Sequence, residues 1–380
     1  MTRLPRALAL ALVLPALACA PNRGAAYEKS LAEARRAHHA GRFDAAADRF
    51  DEAARTAKIP RDAVYARYEA ALARARAGDV ARAARELRAI ADARPPNAYS
   101  AQAAFKAADL AWKSDPSAGY AELEAVALRF PENGVGKVAL VRVLRRDDES
   151  GPAATLAHLD ALGPKLAKTA LEEDIAYERA KRVAELGRLE EARDAFVAVA
   201  DRWPYPGGAY FDDALYRASE IEEKLGRPRE AIALLERMLS FRERSVTIGS
   251  YERPRYVPAV LRIAKLYEER LGDRAGARAT YHRLYADFKT STLRDDALWH
   301  EAALWEMDGD TDTACDRLST LTRAFPDSRY VPCAVDRCRS IERPSKSKAP
   351  KTCHAYLTRE RRPLAGDAAP APETTADAKP

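Results

Sequence analysis

A small residue followed four positions later by a large apolar one recurs six times in this chain of 380 residues: Ala46 with Phe50, Ala83 with Leu87, Ala192 with Phe196, Ala231 with Leu235, Ala277 with Tyr281 and Ala314 with Leu318. Residues four apart share one face of a helix, so the small member lets a second helix approach and the large one fills the groove beyond. Each pair follows a glycine, at Gly41, Gly78, Gly187, Gly226, Gly272 and Gly309, where a helix can end in a left-handed cap. Intervals of 37, 39, 46 and 37 residues separate neighbouring glycines, and the 109 residues from Gly78 to Gly187 divide into three parts of about 36, with weaker turns near Ser114 and Glu149. Such a period dictates stacked helix hairpins, each burying its apolar face against its neighbours.

The stretch from Ser291 to Arg337 shows the unit most clearly. Ala302 and Ala314 fall where two helices touch, Gly309 lies between them, Leu318, Leu321 and Phe325 follow at helical spacing, and Pro326 blocks further helix. Units also close on an aromatic and a proline at Phe130-Pro131 and Trp203-Pro204. Composition agrees, because Ala, Arg, Leu and Glu dominate and only 8% of the residues are aromatic. The reading is an all-α chain of about eight hairpins plus a closing helix over residues 27–343, its fourth hairpin (about Gly134 to Gly163) the least regular.

The pattern resembles the tetratricopeptide repeat, a helix hairpin with small residues at fixed positions. Phe211-Asp212-Asp213-Ala214-Leu215-Tyr216 and Arg294-Asp295-Asp296-Ala297-Leu298-Trp299, with the downstream FPDSRYVPCAV, are similar to the repeats of outer-membrane tetratricopeptide lipoproteins. That group includes the lipoprotein subunit of the β-barrel assembly machinery and the periplasmic coordinator of the Tol–Pal system. The resemblance implies a right-handed α-solenoid whose first helices line a concave groove for a peptide or partner helix.

The N-terminus supplies an address. Arg3 and Arg6 precede an apolar run from Ala7 to Ala18, too short to span a bilayer and suited to a secretion signal. Ala16-Leu17-Ala18-Cys19 resembles a bacterial lipobox, which implies a signal peptide over 1–18, lipidation of Cys19, and a short tether over 19–26. Ala20 after the cysteine implies sorting to the outer membrane, with the solenoid facing the periplasm. The alternative is an ordinary signal cut after Ala18 or Ala20.

Catalytic and metal signatures are not indicated. The paired aspartates at 212–213 and 295–296 open helices, where carboxylates are expected to cap free N–H groups and meet the positive end of the dipole. The six histidines, His38, His39, His158, His282, His300 and His354, form no metal-ligand spacing, and no phosphate loop or nucleophile motif is present. Trp299 and Trp305, with Tyr281, Tyr285 and Phe288, are expected in the core. No cofactor is expected.

Three features break the period. The interval from Gly226 to Gly272 is about ten residues too long, and the excess falls in 242–258, RERSVTIGSYERPRYVP, either a tolerated loop or a binding edge. Tyr251, Arg253, Arg255 and Tyr256 are its candidate partner contacts. Nine basic residues against Glu342 and Glu360 give 337–363 a charge of +7, while the whole chain is +6. The segment 344–363 therefore suits an anionic surface or simple solvation, and an exported chain argues against nucleic acid. Residues 364–380, rich in Ala, Pro and Thr, are expected to be disordered.

The cysteines allow a geometric argument. Without Cys19 four remain, Cys315, Cys333, Cys338 and Cys353, suited to two disulfides in an oxidising compartment. Cys333 and Cys338 point about 140° apart on one helix and should not pair. In an antiparallel hairpin turning near Asp327, Cys315 and Cys338 lie at one height, which predicts Cys315–Cys338 and leaves Cys333–Cys353. The functional expectation is a non-catalytic scaffold binding an envelope protein or peptide. The alternative is a helical accessory domain of a peptidoglycan-processing or polysaccharide-export system.

Overall fold

A computed structural model describes residues 22–241, 254–354 and 357, and their regular structure is helical throughout. The chain divides into two units at Arg182 and Val183. The first unit stacks hairpins of α1 (Ala25–His39) with α2 (Phe43–Thr56), α3 (Pro60–Ala77) with α4 (Val80–Ala91), α5 (Ser100–Ser114) with α6 (Pro116–Arg129), and α7 (Gly134–Asp147) with α8 (Pro152–Leu166). Helix α9 (Glu172–Glu185) carries the boundary. The second unit continues with α10 (Leu189–Arg202), then pairs α11 (Phe211–Lys224) with α12 (Pro228–Leu239), α13 (Tyr256–Lys265) with α14 (Arg274–Asp287), and α15 (Arg294–Met307) with α16 (Thr311–Ala324), and ends in α17 (Val331–Arg337). Among the described residues these make seven paired hairpins and a closing helix, with the Gly187 turn joining α9 to α10. A π-helical turn over Leu266–Arg270 extends α13.

The small-large pairs are the core. Ala46, Ala83, Ala192, Ala231, Ala277 and Ala314 are fully buried, and their partners Phe50, Leu87, Phe196, Leu235, Tyr281 and Leu318 pack beside them. Each large side chain removed from water stabilises the stack by about 2 kcal/mol. The two weak hairpins keep the same spacing in altered form. Gly119 and Leu123 take the roles in α6, and Thr155 and Leu159 in α8, all of them buried. Gly119 lies so close to α5 that a Cβ there would stand 2.3 Å from the Trp112 Cα. Gly309 turns between α15 and α16 with φ 83°, a conformation that costs other residues.

Helix starts follow side-chain chemistry. Asp79, Asp115, Asn133, Asp273 and Asp310 accept backbone N–H groups at the starts of α4, α6, α7, α14 and α16. The paired aspartates do not cap as expected: α11 and α15 begin from Tyr210 and Leu293 without a side-chain cap. Asp213, Asp295 and Asp296 accept instead from arginines and hydroxyls that follow in the chain.

The last hairpin is covalently closed. Cys315 bonds Cys338, and Cys333 bonds Cys353. Ile341, Ala349 and Cys353 join the cluster of Leu298, Leu318 and Leu321 beneath the closing helix. At the other end Arg23 grips Asp62 with two hydrogen bonds of 2.7 Å, fastening the residues before α1 to α3.

Candidate interaction surface

Arg-Tyr-Val-Pro occurs twice, at 255–258 and 329–332, and each copy docks on a paired aspartate. Arg255 Nε donates to Asp213 at 2.8 Å, and its guanidinium lies 4.7 Å from the Tyr216 ring centroid. In the second copy Arg329 Nη2 and the Tyr330 hydroxyl each donate to Asp296 Oδ1 at 2.6 Å, and the Tyr330 ring stacks on Trp299 at 4.8 Å. The Ser328 hydroxyl donates to Asp295 Oδ2 at 2.6 Å. Burial and then the bond to Asp296 push the Tyr330 phenol above its ordinary range, so it remains a donor. The motif locks a hairpin to the helix that follows it, α13 in the first copy and the closing helix α17 in the second.

The first lock opens onto a cleft. Tyr216, Glu220 and Lys224 of α11 face Pro258, Leu261 and Lys265 of α13 across about 590 Å³. Arg262 closes its floor, 5.4 Å over the Tyr216 ring, donating to Glu220 at 3.0 Å and to Glu223. Burial works against the Arg262 charge, but the bonds to Glu223 and Tyr216 outweigh it and hold the guanidinium's pKa above its ordinary value. The cleft combines an apolar strip, Pro258 and Leu261, with a rim of both signs. That chemistry suits an extended peptide and offers no reacting group.

Of the candidate contacts in the insertion, Tyr251 and Arg253 lie outside the described residues, as does Cys19. Arg255 is spent on Asp213. Tyr256 is 1% exposed and gives its hydroxyl to the Phe241 carbonyl at 3.2 Å, so it is core and has no surface for a partner. Trp299, Tyr281 and Phe288 are buried, as expected of core, and Trp305 packs against the cluster that holds Trp299, under Arg278 at 4.0 Å. The 344–363 segment is described to His354 and at Leu357, and the 364–380 tail lies outside. The Arg-Tyr-Val-Pro repeat and the Arg262 clamp were missed from sequence, although the duplicated tetrapeptide was a visible signal.

One polar cluster in the first unit superficially resembles catalytic machinery. Asp147 takes the Tyr120 hydroxyl at 2.6 Å and His158 Nδ1 at 2.7 Å, with Glu124 3.5 Å from His158 Nε2. Burial first, and then the bond to Asp147, raise the Tyr120 pKa, so the phenol is locked as a donor rather than activated. The cluster ties α6 to α7 and α8. Among the described residues no three His, Cys, Asp or Glu are grouped to hold a metal ion, and no helix is long and apolar enough to cross a membrane.

The tetratricopeptide repeat family matches residues 213–240, 259–291 and 296–328, the hairpins that carry the cleft and both locks. In structure the chain is similar to Pseudomonas aeruginosa pilF (17% identity over 71% of this chain and 96% of that one, TM-score 0.31). It is also similar to PilW, a type IV pilus biogenesis factor (14%, 62% and 98%, TM-score 0.35), and to BtubC of P. vanneervenii (15%, 59% and 87%, TM-score 0.36). No curated protein matches the chain. These three segments match the tetratricopeptide repeat, and the fold is an all-α solenoid of that kind. An open cleft lies between the first helices of two successive hairpins.

Proposed function

We propose that this chain is a non-catalytic scaffold of the bacterial envelope, anchored at the outer membrane through lipid on Cys19, that takes an extended peptide of an envelope protein between α11 and α13. The observation that carries it is the cleft itself, held open by Arg262 and Tyr216 before any partner arrives. A preformed site avoids the ordering cost that a partner would otherwise meet. Leu261 and Pro258 accept apolar side chains, while Glu220, Lys224 and Lys265 select by charge.

The partner test is affinity capture from solubilised membranes, followed by binding of the captured protein's peptides to pure chain. Leu261→Asp with Lys265→Glu should weaken that binding at least about tenfold without altering helicity, since replacing buried anchors costs more than 1.4 kcal/mol. Equal binding by the variant would remove the cleft from the reading, and turnover of peptidoglycan by pure protein would remove the scaffold. The anchor is tested separately. Cys19→Ser should release the protein from membranes and abolish palmitate labelling, and a variant still in the membrane fraction with labelled lipid would refute it.

A further inference from the structure

The loop that follows the closing helix is built to present charge. Ser347 turns inward, its hydroxyl on the Pro326 carbonyl, and the Lys348 N–H donates to Asp327 Oδ1 at 2.6 Å. Arg343 threads back, donating to the Ala349 carbonyl at 2.6 Å and the Pro350 carbonyl at 2.7 Å. Ala349 is buried in the cluster beneath, and Cys353 is bonded to Cys333. Four separate ties thus hold residues 343–353 against the end of the array, and the Arg343 bonds brace the loop internally. Between them Lys346, Lys348 and Lys351 project into solvent, joined by exposed Arg339 and Arg343. Only Glu342 opposes these five cations from Arg339 to His354.

We propose that this strapped loop is an electrostatic docking surface for an anionic phospholipid membrane. Every exposed residue from Arg339 to His354 is charged or polar. A protein interface needs an apolar or aromatic centre, which this surface lacks. A layer of phosphates needs only fixed, closely spaced cations, and lysine ammoniums attract it without directional demands. The ties mean that the loop backbone loses little freedom on contact. The proposal is independent of lipid at Cys19.

Its test therefore uses the Cys19→Ser chain, with both disulfides confirmed by non-reducing peptide mapping. Cosedimentation is measured with vesicles of phosphatidylcholine alone and of phosphatidylcholine with about 30% phosphatidylglycerol. The expected result is binding to the anionic vesicles only, lost by about 0.5 M salt as the charges are screened. Lys346→Gln, Lys348→Gln and Lys351→Gln together should weaken it on the order of a hundredfold. The three lysines replaced by arginine should retain it. Unchanged affinity of the glutamine variant, equal binding to neutral vesicles, or no vesicle binding at low salt would each overturn the proposal, the last leaving the loop to an acidic protein face.

Discussion

Asp296 accepts two donors from the start of the closing helix, the Tyr330 hydroxyl and the Arg329 guanidinium, both at 2.6 Å. Replacing it by Ala strands the phenol of a residue that is 2% exposed and should lower unfolding stability by about 2 kcal/mol, measured by denaturant titration. Asp62 makes the corresponding bond at the chain's start. Its hydrogen bonds to Arg23 hold the carboxyl below the usual carboxylate range. A group depressed on folding adds stability that is present above its unfolded pKa, near 4, and is lost as pH falls through the lower folded value. Amide exchange of α1 should therefore accelerate on acidification below about pH 4, and Asp62→Asn should remove that acid-dependent part. The locks also mark where sequence reasoning stopped at this scale. Arg255 and Tyr256 read as exposed contacts in an insertion, but Asp213, which holds Arg255, is 42 residues away, and spacing along one helix does not reveal such a neighbour.

At the scale of the element, the third hairpin shows how close two helices can come. Asp115 starts α6 by accepting Ser117 N–H at 2.9 Å, and Gly119 then passes directly over Trp112. Gly119→Ala places a methyl into the α5 backbone, and despite its better helix propensity should destabilise the first unit by about 1–3 kcal/mol, read from the thermal midpoint. Asp115→Ala loses the cap and should cost about 1 kcal/mol in the same assay. Six hairpins were legible because Ala and a turn glycine repeat together. The third is marked by Asp115 and Gly119 instead, and the fourth by Gly151 and Thr155, so each keeps the geometry while replacing the residue that signals it. The helix pattern survives such exchanges because any small side chain permits the approach.

For the whole molecule the covalent ends matter most. Residues 20–314 contain no cysteine, so both disulfides act on the last hairpin alone. Their sequence separations of 23 and 20 residues each correspond to about 3 kcal/mol of loop closure. Reduction should deprotect amides from Leu318 to Cys353 in hydrogen exchange while leaving α1–α8 unchanged, and equal deprotection of both units would contradict this. The pairing was readable because two antiparallel helices fix heights about a known turn, whereas the binding surface depends on cross-hairpin neighbours that no local spacing encodes. The two bonds are also interleaved: the cysteines leave a ribosome in the order 315, 333, 338, 353, and the first two to emerge are not partners. Oxidation that keeps pace with synthesis would trap Cys315 on Cys333. Correct pairing of Cys315 therefore needs Cys338 to be present before oxidation, or thiol exchange that reopens the premature link.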